Sequence, residues 1–216
     1  MKRLLCCAII VSAMISGSAE ICFAEEYKFI IAPFGGVRFG GDLELSSGTG
    51  DSSIDSSPAY GLKLAIPIRT SFIDSASVEL IYSRQDSEVS GEAFGGGDLD
   101  FAIEYFLLGA KYYFYEETIF NTRKFKPYIA GAVGMSRFSS DDGDIRDDAA
   151  FALNASLGGE FYINDRFGLF IEGSFYTSVV DKGGEVICRE DGTCAYNYKD
   201  SSLFQGEFVG GLVIRI

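Results

Sequence analysis

The sequence predicts an all-β fold, an eight-stranded antiparallel up-and-down β-barrel, and three observations support this prediction. Segments of roughly ten residues alternate between apolar and polar side chains, the period of a strand with two different faces. The 216 residues include 26 Gly, 12 Tyr and 19 Phe, a composition that favours strands over helices, since Gly weakens helices and aromatic residues prefer strands. There are eight such segments, enough for a sheet to close on itself without a free edge.

The N-terminal segment 1–24 is predicted to be a signal peptide, which leaves residues 25–216 as the barrel domain. Two basic residues precede an apolar stretch, and a small-x-small cleavage site ends at Ala24. Cleavage after Ala19 is the alternative. The apolar stretch is shorter than the about 20 residues that a membrane-spanning helix needs. We therefore expect an exported protein without a lipid anchor or a transmembrane helix.

The eight predicted strands are, in chain order, 28–39, 59–69, 75–85, 99–115, 125–138, 151–163, 167–179 and 203–216. The first alternates weakly and contains Pro33, whereas the second and third alternate regularly. In the fourth, the pattern changes phase near Phe106, which predicts a β-bulge. The fifth is rich in small residues, which leaves its phase open, and the last three alternate regularly again.

The connections between these strands alternate in length. Four are long and rich in acidic residues or in Gly and Ser, at about 40–58, 87–98, 139–149 and 181–202, and three are short, at about 70–74, 116–124 and 164–166. Alternate connections of an up-and-down barrel lie at the same end, so the sequence predicts four long outer loops at one end and three short turns, with both termini, at the other. The segment Asn164-Asp165-Arg166 favours a tight hairpin turn.

The period alone does not say which face of the sheet points inward, and two kinds of barrel compete. In a soluble lipocalin-like carrier the apolar face lines a cavity, whereas in an outer-membrane barrel it contacts lipid and the polar face packs inside. Four features favour the membrane: the segregated loop lengths, the apolar face of the final strand, a polar face of mostly small residues, and the aromatic cluster 112–115 beside a short turn. We therefore predict a transmembrane β-barrel with outer-membrane lipid as its surroundings.

Three segments carry a resemblance to a known family. The segments 126–134 (KPYIAGAVG) and 158–161 (GGEF), and more weakly 108–114 (LGAKYYF), are similar to motifs of the small eight-stranded outer-membrane barrels of Gram-negative bacteria, the OmpA transmembrane-domain, OmpX and opacity-type group. The resemblance covers residues 27–216 and implies a location in the bacterial outer membrane. The chain departs from the pattern at Ile216, where these barrels usually carry Phe.

Several charged residues fall on the polar face of the predicted strands and are expected to point into the barrel. They are Lys63, Arg69, Glu79, Lys111, Glu160, Glu172 and Glu207, with the direction of Lys111 depending on the phase change. An unpaired charge in a narrow interior costs several kcal/mol, and eight strands enclose just enough space for side chains. We interpret these residues as a structural network of ion pairs and water, with a gated ion path as the alternative.

The densest run of charge lies in the third long connection and consists of Asp141, Asp142, Asp144, Asp147 and Asp148. We interpret this run as a solvated acidic surface. Its carboxylates suit Ca²⁺, but the spacing of an EF-hand loop is missing. Cys188 and Cys194 are the two cysteines that follow the signal peptide, and in an oxidising compartment they predict a local disulfide.

The chemistry available to the chain is limited. It contains no His, which removes the commonest general base and metal ligand, so we predict no catalytic, cofactor-binding or metal-binding residue. Its 31 acidic and 18 basic residues give a net charge of −13, the wrong sign for binding nucleic acid.

These observations predict a monomeric, non-enzymatic surface protein of the outer membrane. Its long loops would form the working part, binding a host or neighbouring surface as an adhesin or surface antigen, or the barrel would have a membrane-structural role. The first alternative is a porin-like channel for small solutes or ions, and the second is a periplasmic lipocalin-like ligand carrier.

Overall fold

A computed structural model gives the architecture of the chain. Its backbone is described for residues 29–40, 42–44, 51–53, 56–70, 73–89, 99–114, 125–140, 148–179, 187–188, 194–196 and 202–216, and its side chains for 29–40, 56–68, 76–87, 102–114, 125–139, 149–179 and 203–216. The predicted signal peptide, residues 1–24, lies outside these ranges and remains a prediction.

The described residues form twelve strands: β1 (Ile30–Phe39), β2 (Asp42–Glu44), β3 (Asp51–Ser53), β4 (Ser57–Thr70), β5 (Ile73–Val89), β6 (Leu99–Tyr113), β7 (Phe125–Ser140), β8 (Asp148–Tyr162), β9 (Phe167–Val179), β10 (Ile187–Cys188), β11 (Cys194–Tyr196) and β12 (Ser202–Arg215). Eight of them, β1, β4 to β9 and β12, form a closed barrel. Neighbours follow chain order, every pair is antiparallel, and β1 closes the barrel against β12. The predicted all-β, eight-stranded up-and-down barrel is confirmed.

The register of the strands fixes the width of the barrel. Followed across the strands from Tyr113 in β6, the pairing passes once round the barrel and returns to β6 at Ile103, ten residues earlier in the chain. Such a shift means that the strands are tilted with respect to the barrel axis. An eight-stranded barrel of this kind has an interior that side chains fill.

Side chains alternate between the inside and the outside along the barrel strands. The outward positions carry large exposed apolar residues, such as Leu64, Leu80, Leu108, Leu157 and Phe208. Most of the buried polar residues point inward, which is the reverse of a soluble carrier with an apolar cavity. An outer surface of this kind is suited to lipid rather than water. In the part of the chain that the structure describes, no helix has the length and apolar character to cross a membrane.

The described part of the aromatic cluster, residues 112–114, is divided between the two faces. Tyr112 and Phe114 are exposed on the outward face, with their rings in edge-to-face contact at 5.7 Å between centroids. They lie beside the short connection at 116–124, where an aromatic girdle is expected. Tyr113 points inward and is buried.

The predicted bulge near Phe106 is wrong. Strand β6 pairs with β5 and with β7 in one unbroken register. The apparent change of phase arises because the inward face of β6 is itself apolar toward its start, at Ile103 and Leu107, while Glu104 lies on the outward face. Of the described barrel pairs, β4 and β5 show a register shift, near Thr70.

The turn between β8 and β9 is tight, as predicted. Asn164 Oδ1 accepts hydrogen bonds from the backbone N–H groups of Arg166 at 2.9 Å and Phe167 at 2.8 Å, and the Ile163 N–H donates to the Phe167 carbonyl at 2.9 Å. Most other connecting residues lie outside the described ranges, so the division into four long loops and three short turns remains a prediction. Two of the long connections contain short ribbons, β2–β3 and β10–β11, that the sequence did not predict.

The outward face allows a direct test of the lipid-facing assignment. Leu157→Arg, at an exposed position within the apolar belt, should cost about 2–4 kcal/mol of folding free energy in vesicles, because a lipid-facing guanidinium near the midplane is poorly accommodated. Ile163→Arg, beside the β8–β9 turn, is the matched control and should cost about 1 kcal/mol or less. Urea titration in lipid vesicles measures both values. Equal costs at the two positions would contradict the assignment.

Candidate functional site

The barrel interior holds the charged residues that the polar face predicted. Six of them, Lys63, Glu79, Lys111, Glu160, Glu172 and Glu207, are buried, and each has a partner of opposite charge. Arg69 lies in β4, and its side chain is outside the described residues. The six form part of two separate networks, one toward each end of the barrel.

The first network lies toward the end that carries the β8–β9 turn, and we call it the turn-end network. It consists of Lys63, Lys111, Glu79, Glu160 and Glu172, with hydroxyl donors from Tyr113, Tyr128, Tyr162 and Ser174. Lys111 Nζ lies 2.7 Å from Glu79 Oε1 and 3.1 Å from Glu160 Oε1. Lys63 Nζ lies 2.5 Å from Glu172 Oε2. Both lysines are therefore paired inside the barrel.

Tyrosine hydroxyl groups complete the coordination of these carboxylates. Tyr113 donates to Glu160 at 3.0 Å, and Tyr162 donates to the other oxygen of the same carboxylate. Tyr128 donates to Glu172 at 2.7 Å. A buried carboxylate needs more donors than one cation supplies, because its remaining lone pairs are also removed from water. The predicted interior network did not include these tyrosines. For Tyr113 and Tyr128, spacing alone does not separate an inward Tyr from one in an aromatic girdle.

A glycine makes room for this arrangement. Tyr128 in β7 lies against Gly158 in β8, and a Cβ atom at that position would come within 2.5 Å of the ring. The same ring has its centroid 4.2 Å from Lys111 Nζ, a cation–π distance. The Gly residues of the GGEF segment therefore have a physical role here, because a side chain at Gly158 would displace the ring.

The second network lies toward the opposite end, and we call it the loop-end network. Arg38 in β1 donates to Glu207 from Nε at 2.9 Å and also from Nη2, and Nη2 donates to Ser83 Oγ at 2.5 Å. Tyr176 donates to the other oxygen of Glu207 at 3.1 Å. The guanidinium lies 4.7 and 4.6 Å from the ring centroids of Tyr105 and Tyr176. Arg38 was missing from the predicted interior charges because β1 alternates weakly.

A chain of uncharged groups extends the loop-end network. Tyr105 donates to Gln205 at 2.8 Å, Gln205 donates to Gln85 at 3.1 Å, and Gln85 donates to Ser57 at 2.7 Å. All four side chains are buried. These hydrogen bonds connect strands β6, β12, β5 and β4 across the interior, so they tie opposite walls of the barrel together.

Apolar side chains separate the two networks and lie beyond the second. Ile81 on β5 and Leu107 on β6 lie between the two networks along their strands, and both are almost completely buried. Toward the loop end, Ile103 and Leu203 are equally buried in the same apolar cluster. Along β5 and β6 the two networks are therefore separated by buried apolar side chains.

The remaining predicted site residues lie largely outside the described side chains. This applies to Asp141, Asp142, Asp144 and Asp147, and to the side chain of Asp148 at the start of β8. The backbone register of the β10–β11 ribbon places Cys188 opposite Cys194, but the disulfide remains a prediction. Within the described ranges, no group of three or more Cys, Asp or Glu residues is arranged to hold a metal ion.

Comparison with known proteins places this geometry among characterised folds. No protein-family model matches the chain, and no curated protein matches it. It is similar to the crystal structure of Neisserial surface protein A, with a TM-score of 0.54 and 14% identity over 87% of this chain and 96% of that one. It is also similar to the outer membrane protein OprG from Pseudomonas aeruginosa, with a TM-score of 0.52 and 17% identity over 88% and 96%. The chain therefore has the fold of the small eight-stranded outer-membrane β-barrels.

The loop-end ion pair provides a test of charge compensation in the interior. Arg38→Met should destabilise the barrel by about 3–5 kcal/mol, because it leaves Glu207 buried without its cation. The double variant Arg38→Met/Glu207→Gln removes both charges, and it should lose less stability than the single variant. Urea titration in vesicles measures both. A double variant that loses as much stability as the single variant, or more, would show that the two residues do not compensate each other.

Proposed function

We propose that this chain is an integral protein of the outer membrane of a Gram-negative bacterium and acts at the cell surface through its loops, without catalysis. The observation that carries the proposal is a closed barrel with an apolar outer wall and an interior filled by paired charges. Lipid surrounds such a barrel, and its interior has little room for a ligand. Function is therefore assigned to the long connections, in an adhesin, surface-antigen or membrane-structural role.

Three further points support a role for the loops. Neisserial surface protein A, whose fold this chain shares, is by its name a surface protein. The predicted disulfide between Cys188 and Cys194 would stiffen the last long connection, and a stiff loop binds with a smaller ordering cost. The acidic run at 141–148 would give the same end of the barrel a strong negative charge, suited to a basic partner surface.

A non-enzymatic role agrees with the chemistry of the interior. The chain contains no His, and the buried carboxylates Glu79, Glu160, Glu172 and Glu207 each lie beside Lys or Arg. A carboxylate held by a cation and by tyrosine hydroxyls is a poor general base, because its lone pairs are already engaged. The interior charges are better explained as structural.

The second candidate is a channel for small solutes or ions, and the polar side chains in both networks favour it. A passing ion would have to disrupt the buried ion pairs and then pass the apolar side chains of Ile81 and Leu107, which resist wetting. The third candidate, a lipocalin-like carrier, requires an apolar interior, and the orientation of the two faces counts against it.

A planar-bilayer experiment distinguishes a surface protein from a channel. The purified wild-type protein should migrate differently on detergent gels before and after boiling, as a closed barrel does, and it should give no reproducible unitary current. A mock preparation from cells that do not express the protein, purified in parallel, is the control for contaminating porins. Unitary currents that occur with the wild type and are absent from the mock preparation would establish the channel instead.

Surface labelling tests the proposed orientation. In a Cys188→Ser/Cys194→Ser background, Gly143→Cys should react on intact cells with a membrane-impermeant maleimide, because the proposal places the third long connection outside the cell. Asp165→Cys, in the β8–β9 turn, is the matched control and should react only after the cells are opened. The opposite pattern would reverse the orientation.

A further inference from the structure

A row of polar side chains crosses the outward face of four neighbouring strands. Tyr60 in β4, Arg84 in β5, Glu104 in β6 and Arg137 in β7 are successive cross-strand partners in the register. We call these four residues the outer ladder. Each alternates along its strand with residues that point inward, so the ladder lies on the side of the barrel wall that faces lipid.

The carboxylate of Glu104 lies at the centre of the ladder, near both of its arginines. Glu104 accepts a hydrogen bond from Tyr82 at 2.8 Å, and its oxygens lie 3.5 Å from Arg84 Nη1 and 3.9 Å from Arg137 Nη1. Arg84 Nε also donates to Asp86 at 2.8 Å. The side chain of Glu104 is 12% exposed, whereas those of Arg84 and Arg137 are 31% and 49% exposed. The carboxylate thus lies between two guanidinium groups, part of each of which faces outward.

The wall next to the ladder, toward the turn end, is apolar. The adjacent row of cross-strand partners is Leu62, Tyr82, Phe106 and Met135, and the row after that is Leu64, Leu80, Leu108 and Val133. The ring of Tyr82 packs on Phe106 at 5.1 Å between centroids while its hydroxyl group reaches Glu104. A tyrosine in this arrangement marks the boundary between hydrocarbon and polar headgroups.

The opposite wall shows that the ladder lies within the height that lipid covers. Followed from Tyr113 in β6, the cross-strand pairing reaches Val209 in β12 after half a circuit. Because the strands are tilted, Val209 lies nearer the loop end than Tyr113 by about five residues along the barrel axis. Gln205 in β12 is therefore level with Glu104 in β6. The next outward residue, Phe204, is apolar and exposed. On the β12 wall, apolar surface therefore reaches the same height along the barrel axis as the charges of the ladder on the β6 wall.

We propose that the outer ladder binds the headgroup phosphate of an outer-leaflet lipid whose acyl chains lie on the apolar wall beside it. Guanidinium groups bind phosphate through paired N–H donors, and a charged group on the lipid face is tolerated where it meets a headgroup. The carboxylates of Glu104 and Asp86 offset the charges of Arg84 and Arg137. A phosphomonoester presents three non-bridging oxygens to the guanidinium donors, whereas the phosphodiester of a zwitterionic lipid presents two, so the ladder favours the phosphomonoester. This inference rests on the proposed placement in a membrane.

Spin-labelled lipids test the proposal. The full-length mature protein is folded into phosphatidylcholine vesicles that contain either spin-labelled phosphatidic acid or spin-labelled phosphatidylcholine, and the motionally restricted fraction is measured by electron paramagnetic resonance. The wild type should prefer phosphatidic acid by about fivefold, the factor that corresponds to about 1 kcal/mol. Arg84→Gln/Arg137→Gln should lose this preference. Arg166→Gln, at the turn end, removes an exposed arginine elsewhere and should retain it.

Two results would overturn the proposal. One is an equal preference for phosphatidic acid in the wild type and the double variant, including no preference in either. The other is complete displacement of the restricted lipid by inorganic phosphate, which would indicate an anion site that does not need acyl chains. Gel mobility before and after boiling is recorded for every sample. A protein that fails to insert refutes the membrane placement, whereas an inserted protein without lipid preference refutes the ladder site alone.

Discussion

Hydrocarbon offers no hydrogen-bond partner to a peptide group, and the rest of this structure depends on that constraint. A sheet that lies in lipid must pair every strand on both sides, and a closed barrel is the arrangement that does so. Here β1 pairs with both β4 and β12, so the sheet has no exposed edge. Closure then forces one face inward, and with eight strands that inward face has space for side chains alone.

The same constraint explains why the interior charges are arranged in networks. Because side chains alternate, a slip of one residue in any strand would turn its inward charges toward lipid. Lys111 in β6 contacts carboxylates from β5 and β8, and Arg38 in β1 contacts Glu207 in β12. Each ion pair therefore joins strands whose register must be correct for the pair to form. The networks favour the native register as well as compensating buried charge.

Much of this could be predicted from the sequence, where alternation was regular. In β8, β9 and β12 the outward positions are mostly apolar or glycine, and Glu160, Glu172 and Glu207, on the alternate positions, were expected inside for that reason. The pattern gave a wrong result in β6, because Ile103 and Leu107 fill the interior with apolar groups and Glu104 lies on the lipid side. Alternation assumes that each face has one polarity, and this strand breaks that assumption on both faces.

Other features depend on neighbours that are distant in sequence. Arg38 lies in a strand that alternates weakly and contains Pro33 and two glycines. Its role as the cation of a buried ion pair follows from the pairing of β1 with β12, which brings Glu207 beside it. The outer ladder is a property of the register, since its members come from four different strands. Periodicity within one strand does not give the alignment between strands, and both features depend on that alignment.

The closure between β1 and β12 has a consequence for biogenesis. Ile30 pairs with Arg215, and the backbone groups of Phe29 and Ile216 exchange hydrogen bonds of 3.1 and 2.9 Å. These contacts have the greatest sequence separation in the described chain, and forming them has a large loop-closure entropy cost. We therefore expect them to form late, after the final strand is in place. Until then a partly assembled sheet has two edge strands with unpaired backbone groups, which can pair with other β-strands. Any factor that escorts the chain to its membrane would best protect it by temporarily pairing with its first or last strand.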